Sequence, residues 1–141
     1  MSRFTVRHLL DLSTGINVYE LLEDGKSLFE EFQGDVKKSA SSYAAYLNRF
    51  PAMIEQYSKG IILPSAKFRK LKGSRAKCSE FEFKAKPLRL YMTTIDGFGA
   101  IIMFGGYKAS QKSDIRRLQN LSMRVIQEYE AGKLKMIKNK S

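Results

Sequence analysis

The residues of this chain best suited to meet a phosphate fall between Lys67 and Lys112. Within that stretch KFRKLKG, EFEFKAKPLRLYM and GAIIMFGGYKASQK set charged residues among apolar ones, largely at every second position. A strand turns successive side chains to opposite faces, so the spacing predicts Glu80, Glu82, Lys84, Arg89 and Lys108 together on a small sheet with one charged face. A compact sheet of that kind is a surface for a polyanion. Lys67 to Lys77 adds six basic residues, Lys67, Arg69, Lys70, Lys72, Arg75 and Lys77, with no acid among them. Such a stripe contacts phosphates and gains affinity from counterion release, or it is a solvated face that keeps a small protein soluble.

The charge is unevenly spread along the 141 residues. Residues 1 to 60 hold seven Lys or Arg against eight Asp or Glu, and residues 61 to 141 hold eighteen against six, so the whole +11 excess belongs to the second part. With 43% apolar and 28% charged residues the composition is that of one globular domain with a real core. The longest apolar run, Gly99 to Gly106, is far shorter than the ~20 residues that span a bilayer. The start, Met-Ser-Arg-Phe-Thr, lacks the apolar core of a secretion signal, which predicts a cytoplasmic protein with no membrane partner. One cysteine, Cys78, and one histidine, His8, make neither a disulfide framework nor a common zinc ligand set, so neither metal nor cofactor is expected. Cys78 in a strand reads as structural, and His8 as a surface or packing residue.

These charged positions need elements to hold them. NVYELL, residues 17 to 22, reads as a first strand ended by the turn signal Asp24-Gly25. Ser27 followed by Glu30 has capping-box spacing, and Leu28, Phe29, Phe32 and Val36 then recur at helical intervals. Tyr43, Tyr46, Leu47 and Phe50 resume the period, and Pro51 suits a first helical turn, so a helical hairpin or kinked pair is predicted to end near Gly60. From Lys67 the period falls to two. The link at Ala85 to Pro87 and the turn at Asp96-Gly97 predict an antiparallel meander with one greasy and one charged face. Ser113 is placed to cap a final helix whose Ile115, Leu118, Ser122, Val125 and Tyr129 share a face, with Gly132 as its stop and a loose basic tail beyond.

This order of elements, with KFRKLKG, EFEF followed closely by PLRLY, GAIIMFGGYKAS and SDIRRLQNL, resembles the RelE/ParE superfamily of bacterial toxins from type II toxin-antitoxin systems, its HigB-like branch above all. The resemblance covers about residues 17 to 130. It leaves residues 1–16 as an unassigned extension, 17–131 as the toxin-like domain and 132–141 as a basic tail. It implies an α+β fold: a small antiparallel sheet with an N-terminal helical pair and a C-terminal helix packed on one face, and a charged concave face on the other. It also implies a cognate antitoxin as partner, and one of two activities. Many such toxins enter the ribosome and cut messenger RNA without a metal; those of the ParE branch inhibit DNA gyrase. A basic RNA- or ribosome-binding module of the same fold is the third possibility.

Metal-free RNA cleavage requires a base for the 2′-hydroxyl, positive charge beside the phosphorane and an acid for the leaving oxygen. On the resemblance Glu80 or Glu82 serves as base, Arg89 holds the phosphate with its planar fork, and Lys84 and Lys108 add charge. Tyr91, Tyr107 or Lys112 supplies the acid. Lys84, Tyr91 and Lys112 join Lys67, Arg69, Lys70, Lys72, Arg75 and Lys77 as RNA contacts. The competing reading of Glu80, Glu82 and Arg89 is a set of cross-strand ion pairs. Gly105-Gly106 beside Lys108 lets a backbone or a phosphate approach closely, or marks a bend in the strand.

Overall fold

Asp24 and Gly25 both adopt left-handed backbone angles, φ 52° and 84°, and turn strand β2 (Val18–Glu23) back into the short β3 (Lys26–Ser27). The structure is a computed structural model describing residues 3–10, 15–73 and 78–137. Directly after the turn the Ser27 hydroxyl accepts from the Glu30 amide at 3.0 Å and caps helix α1 (Leu28–Ser39). Lys37 and Lys38 in its last turn suit the negative end of the helix dipole. A 3-10 turn at Ser41–Tyr43 leads into a single turn, α2 (Ala44–Leu47), and then α3 (Phe50–Ser58), with Pro51 at its start. The helical pair expected here is therefore three segments: the ladder breaks first among the small residues Ser39 to Ser42 and again at Asn48 and Arg49.

The alternation beyond Lys67 is realised as β4 (Phe68–Lys70), β5 (Cys78–Ala85), β6 (Leu88–Ile95) and β7 (Gly99–Tyr107), each antiparallel to the next. Residues 4–10, β1 (Phe4–Leu10), pair antiparallel with β2, while β2 lies parallel to β7. After helix α4 (Gln111–Glu130), Gly132 turns with φ 72° and β8 (Lys135–Ile137) pairs parallel with β1. The order is β4-β5-β6-β7-β2-β1-β8. The sheet is mixed where an antiparallel one was expected. Parallel neighbours are joined only through long crossovers, which local periodicity does not encode.

Helices cover both faces of this sheet. Phe83, Leu88, Leu90, Met92 and Ile102 pack with Phe29, Phe32, Val36, Phe50, Met53 and Ile54 of α1 and α3. On the opposite face Phe4, Val6, Tyr19, Leu21, Tyr91, Ile101 and Phe104 pack with Leu118, Leu121 and Val125 of α4. This corrects the expectation of helices on one face only. Along β6 the second set of alternating residues, Tyr91 and Thr93, is as deeply buried as the first, and a strand covered on both sides needs a layer on each. Thr93 and Ser122 share a hydrogen bond of 2.7 Å across that layer. Ser113, expected as the cap of α4, instead lies inside its first turn and donates to the Ser110 carbonyl at 3.0 Å. The result is a small α+β fold with a mixed sheet between helices.

Candidate phosphate-binding site

The β5–β6 register sets Lys84 opposite Arg89, Glu82 opposite Tyr91 and Glu80 opposite Thr93. The alternation read from the sequence therefore does bring these residues to one face, but α4 lies over most of it. Glu82 and Tyr91 have no exposed surface, Glu80 retains 4% and Arg89 7%. A buried carboxylate must be paired, and Glu82 is: Arg69 Nε donates to one oxygen at 2.9 Å, Gln111 Nε2 to the other at 2.6 Å, and Arg89 Nε lies 3.9 Å away. The open charged face expected here is thus closed at Glu80, Glu82 and Tyr91. Among the described residues the Tyr91 hydroxyl has no hydrogen-bond partner. Burial first, then the Glu82 and Asp114 charges, push its pKa above the ordinary phenol range, which is unsuited to an RNA proton donor.

The positive charges gather at one end of the sheet. There the β5–β6 hairpin turns at Lys86, φ 51°, and Lys108 donates its amide to Pro87 O at 2.8 Å, while Lys84 donates its own to Lys67 O at 2.8 Å. These backbone bonds set Lys67 and Lys108 beside the turn, and the start of α3 closes the remaining side. The cleft so formed has a volume of about 700 Å³ and is lined by Arg49, Lys67, Lys84, Lys86, Arg89 and Lys108, above Ala52, Met53, Gln56 and Ala66. Among the described residues no carboxylate lines it. Arg89 is held by two carbonyls, its Nη1 donating to Lys86 O at 2.6 Å and Leu88 O at 2.9 Å. Lys84 Nζ donates to Ser65 O at 3.2 Å. Among the described residues none of Arg49, Lys67, Lys84, Lys86 and Lys108 is in an ion pair with a carboxylate. Six convergent cations repel one another, and an anion in their midst relieves that repulsion.

The other expected site residues lie elsewhere. Tyr107 points away from the cleft and donates to Asp35 Oδ2 at 2.7 Å; burial and that bond push its pKa up to about 12. Lys70, Lys72 and Lys112 are exposed, outside the cleft lining. Arg75 and Lys77 lie outside the described residues. Gly105 packs on the Phe32 ring and Gly106 on the Asp114 carboxylate. These glycines admit a helix on each side of β7, so the close approach expected there belongs to protein groups and not to a phosphate. Cys78 is buried, and the His8 ring packs 4.5 Å from that of Tyr19. Among the described residues no three His, Cys, Asp or Glu side chains are grouped as for a metal ion.

Arg49, Gln56 and Lys86 were not singled out by sequence reasoning. Lys86 had a signal, since it precedes Pro87 in a predicted turn; Arg49 and Gln56 had none, because only the packing of α3 brings them to the hairpin. Fold and site together define a small α+β protein with a strongly cationic cleft at one end of its sheet. No family model, curated protein or solved structure matches the chain.

Proposed function

We propose that this protein binds RNA through the cationic cleft and acts as a translation-inhibiting toxin of the RelE/ParE kind, cytoplasmic and held in check by an antitoxin. The observation that supports it is the convergence of six cations in a cleft that, among the described residues, no carboxylate lines. Phosphate contacts give such a surface affinity without a sequence code. An antitoxin that brings carboxylates to the same cleft would mask it.

Strand cleavage is the chemistry most in keeping with this reading. Arg89 is preorganised by its two carbonyl partners, as suits a group that stabilises a phosphorane. Glu80 and Glu82 lie beneath α4, so proton transfer falls to lysines of the cleft, Lys84 and Lys108.

Titration of the full-length protein with single-stranded RNA at rising salt tests the binding. With six cations engaged, log K falls by about 4 per tenfold rise in salt, from the single-strand slope of about −0.7 per contact. A flat response sinks the proposal. Inducible expression with mapping of messenger RNA ends tests the chemistry: cuts within translated codons that vanish in a folded Arg89→Ala variant support it. Intact transcripts with DNA breakage point to gyrase inhibition instead.

A further inference from the structure

We propose that the cleft is built for the polyphosphate of a nucleotide, either a free nucleoside triphosphate or the 5′-triphosphate end of an RNA, in preference to an internal stretch of a strand. The inference rests on the reading of the cleft as an RNA phosphate site and narrows what that site takes.

Charge density carries the argument. A volume of about 700 Å³ is that of a cavity for one small ligand. An internal nucleotide filling it brings one negative charge, because every diester phosphate comes with a sugar and a base that claim space. A terminal phosphate alone carries about −1.5 to −2, and each further phosphate of a polyphosphate adds charge with no nucleoside between. Arg49, Lys67, Lys84, Lys86, Arg89 and Lys108 surround the cleft, and among the described residues only Arg89 has a carboxylate, Glu82, in ion-pair range. Of these ligands a polyphosphate comes nearest to neutralising the five cations that no described carboxylate pairs, with Arg89 shared between it and Glu82.

The lining is also divided as a nucleotide is. Ala52 and Ala66, both exposed, offer apolar surface beside the cations, with the largely buried Met53 also in the lining. The Arg89 guanidinium, fixed against Lys86 O and Leu88 O, keeps an Nε that has no hydrogen-bond partner among the described residues. Glu82 Oε2, 3.9 Å from that Nε, is the nearest carboxylate, and it is already engaged by Gln111. The protein's own cations therefore provide the neutralisation that a divalent ion gives a triphosphate elsewhere.

The test uses full-length protein without divalent cations and a short single-stranded RNA bearing a 5′-triphosphate or a 5′-hydroxyl, labelled at the 3′ end. The triphosphate form is expected to bind about tenfold tighter or better, and ATP or GTP to compete where guanosine does not. Preference for the triphosphate end without competition by free nucleotide assigns the site to RNA termini; competition without end preference assigns it to free nucleotide; either supports the proposal. Equal affinity for both RNAs with no competition overturns it and leaves the phosphate-backbone reading standing. Failure of every RNA and nucleotide to bind removes both. Lys86→Gln, at an exposed turn position, is expected to keep the native circular dichroism spectrum and reduce the triphosphate preference. A folded variant with that preference intact also overturns the proposal.

Discussion

Glu82→Ala separates a carboxylate that holds the fold from one that acts on a substrate. Glu82 has no exposed surface and accepts from Arg69 and from Gln111, with Arg89 close by. Removing it strands the Gln111 amide and leaves the buried Arg89 without its nearest counter-charge. Breaking a buried pair from one side costs about 3–5 kcal/mol. Half of this pair is open, since the Arg69 side chain is 44% exposed, so the lower end, about 3 kcal/mol, is expected. For a chain of this length that lowers the melting temperature by roughly 10 °C. Glu82→Gln keeps the shape and one acceptor oxygen and should lose about half as much. Urea unfolding followed by circular dichroism measures both, with equal m values confirming that native and unfolded states are otherwise comparable. If Glu82→Ala unfolds at the wild-type midpoint with an unchanged m value, Glu82 is not a structural anchor, and α4 does not close over it as described.

Two further outcomes follow from the packing. Gly105→Ala should destabilise by about 1–3 kcal/mol, because the added methyl meets the Phe32 ring inside the core; Gly106→Ala should cost less, since it meets the end of the Asp114 side chain, and chemical unfolding of the two variants checks the order. Tyr107→Phe should cost about 1 kcal/mol at pH 8 through the lost bond to Asp35. The folded phenol has its pKa raised from 10.0 to about 12, so its contribution is full below pH 10 and is lost as the pH rises towards 12, because the unfolded chain ionises first. The wild-type advantage over Tyr107→Phe should therefore shrink across that window, and a constant difference would refute the Asp35 contact.

Local pattern was enough to identify most of the elements. The Ser27 cap, the Asp24-Gly25 turn, Pro51 at a helix start, the β5–β6–β7 meander and Gly132 after the last helix all depend on neighbours a few residues apart, and at that range sequence and geometry are tied directly. Alternation also told which residues share a face of β5 and β6, because side-chain direction in a strand has a fixed period. What covers that face depended on distant parts of the chain. Charged residues in alternation look like a solvated surface until a helix with Leu118, Leu121 and Val125 is laid over them; Glu82 then becomes an internal tie.

The cleft is tertiary for the same reason. Its cations come from α3, from the segment before β4, from the β5–β6 hairpin and from the end of β7, stretches up to about sixty residues apart whose charges meet only once the sheet and α3 are docked. The sequence by itself determined that the second part of the chain is cationic and strand-rich. Where that charge becomes concentrated was decided by packing: docking of α4 buries Glu80 and Glu82, and docking of α3 against the hairpin leaves basic residues facing each other at one end.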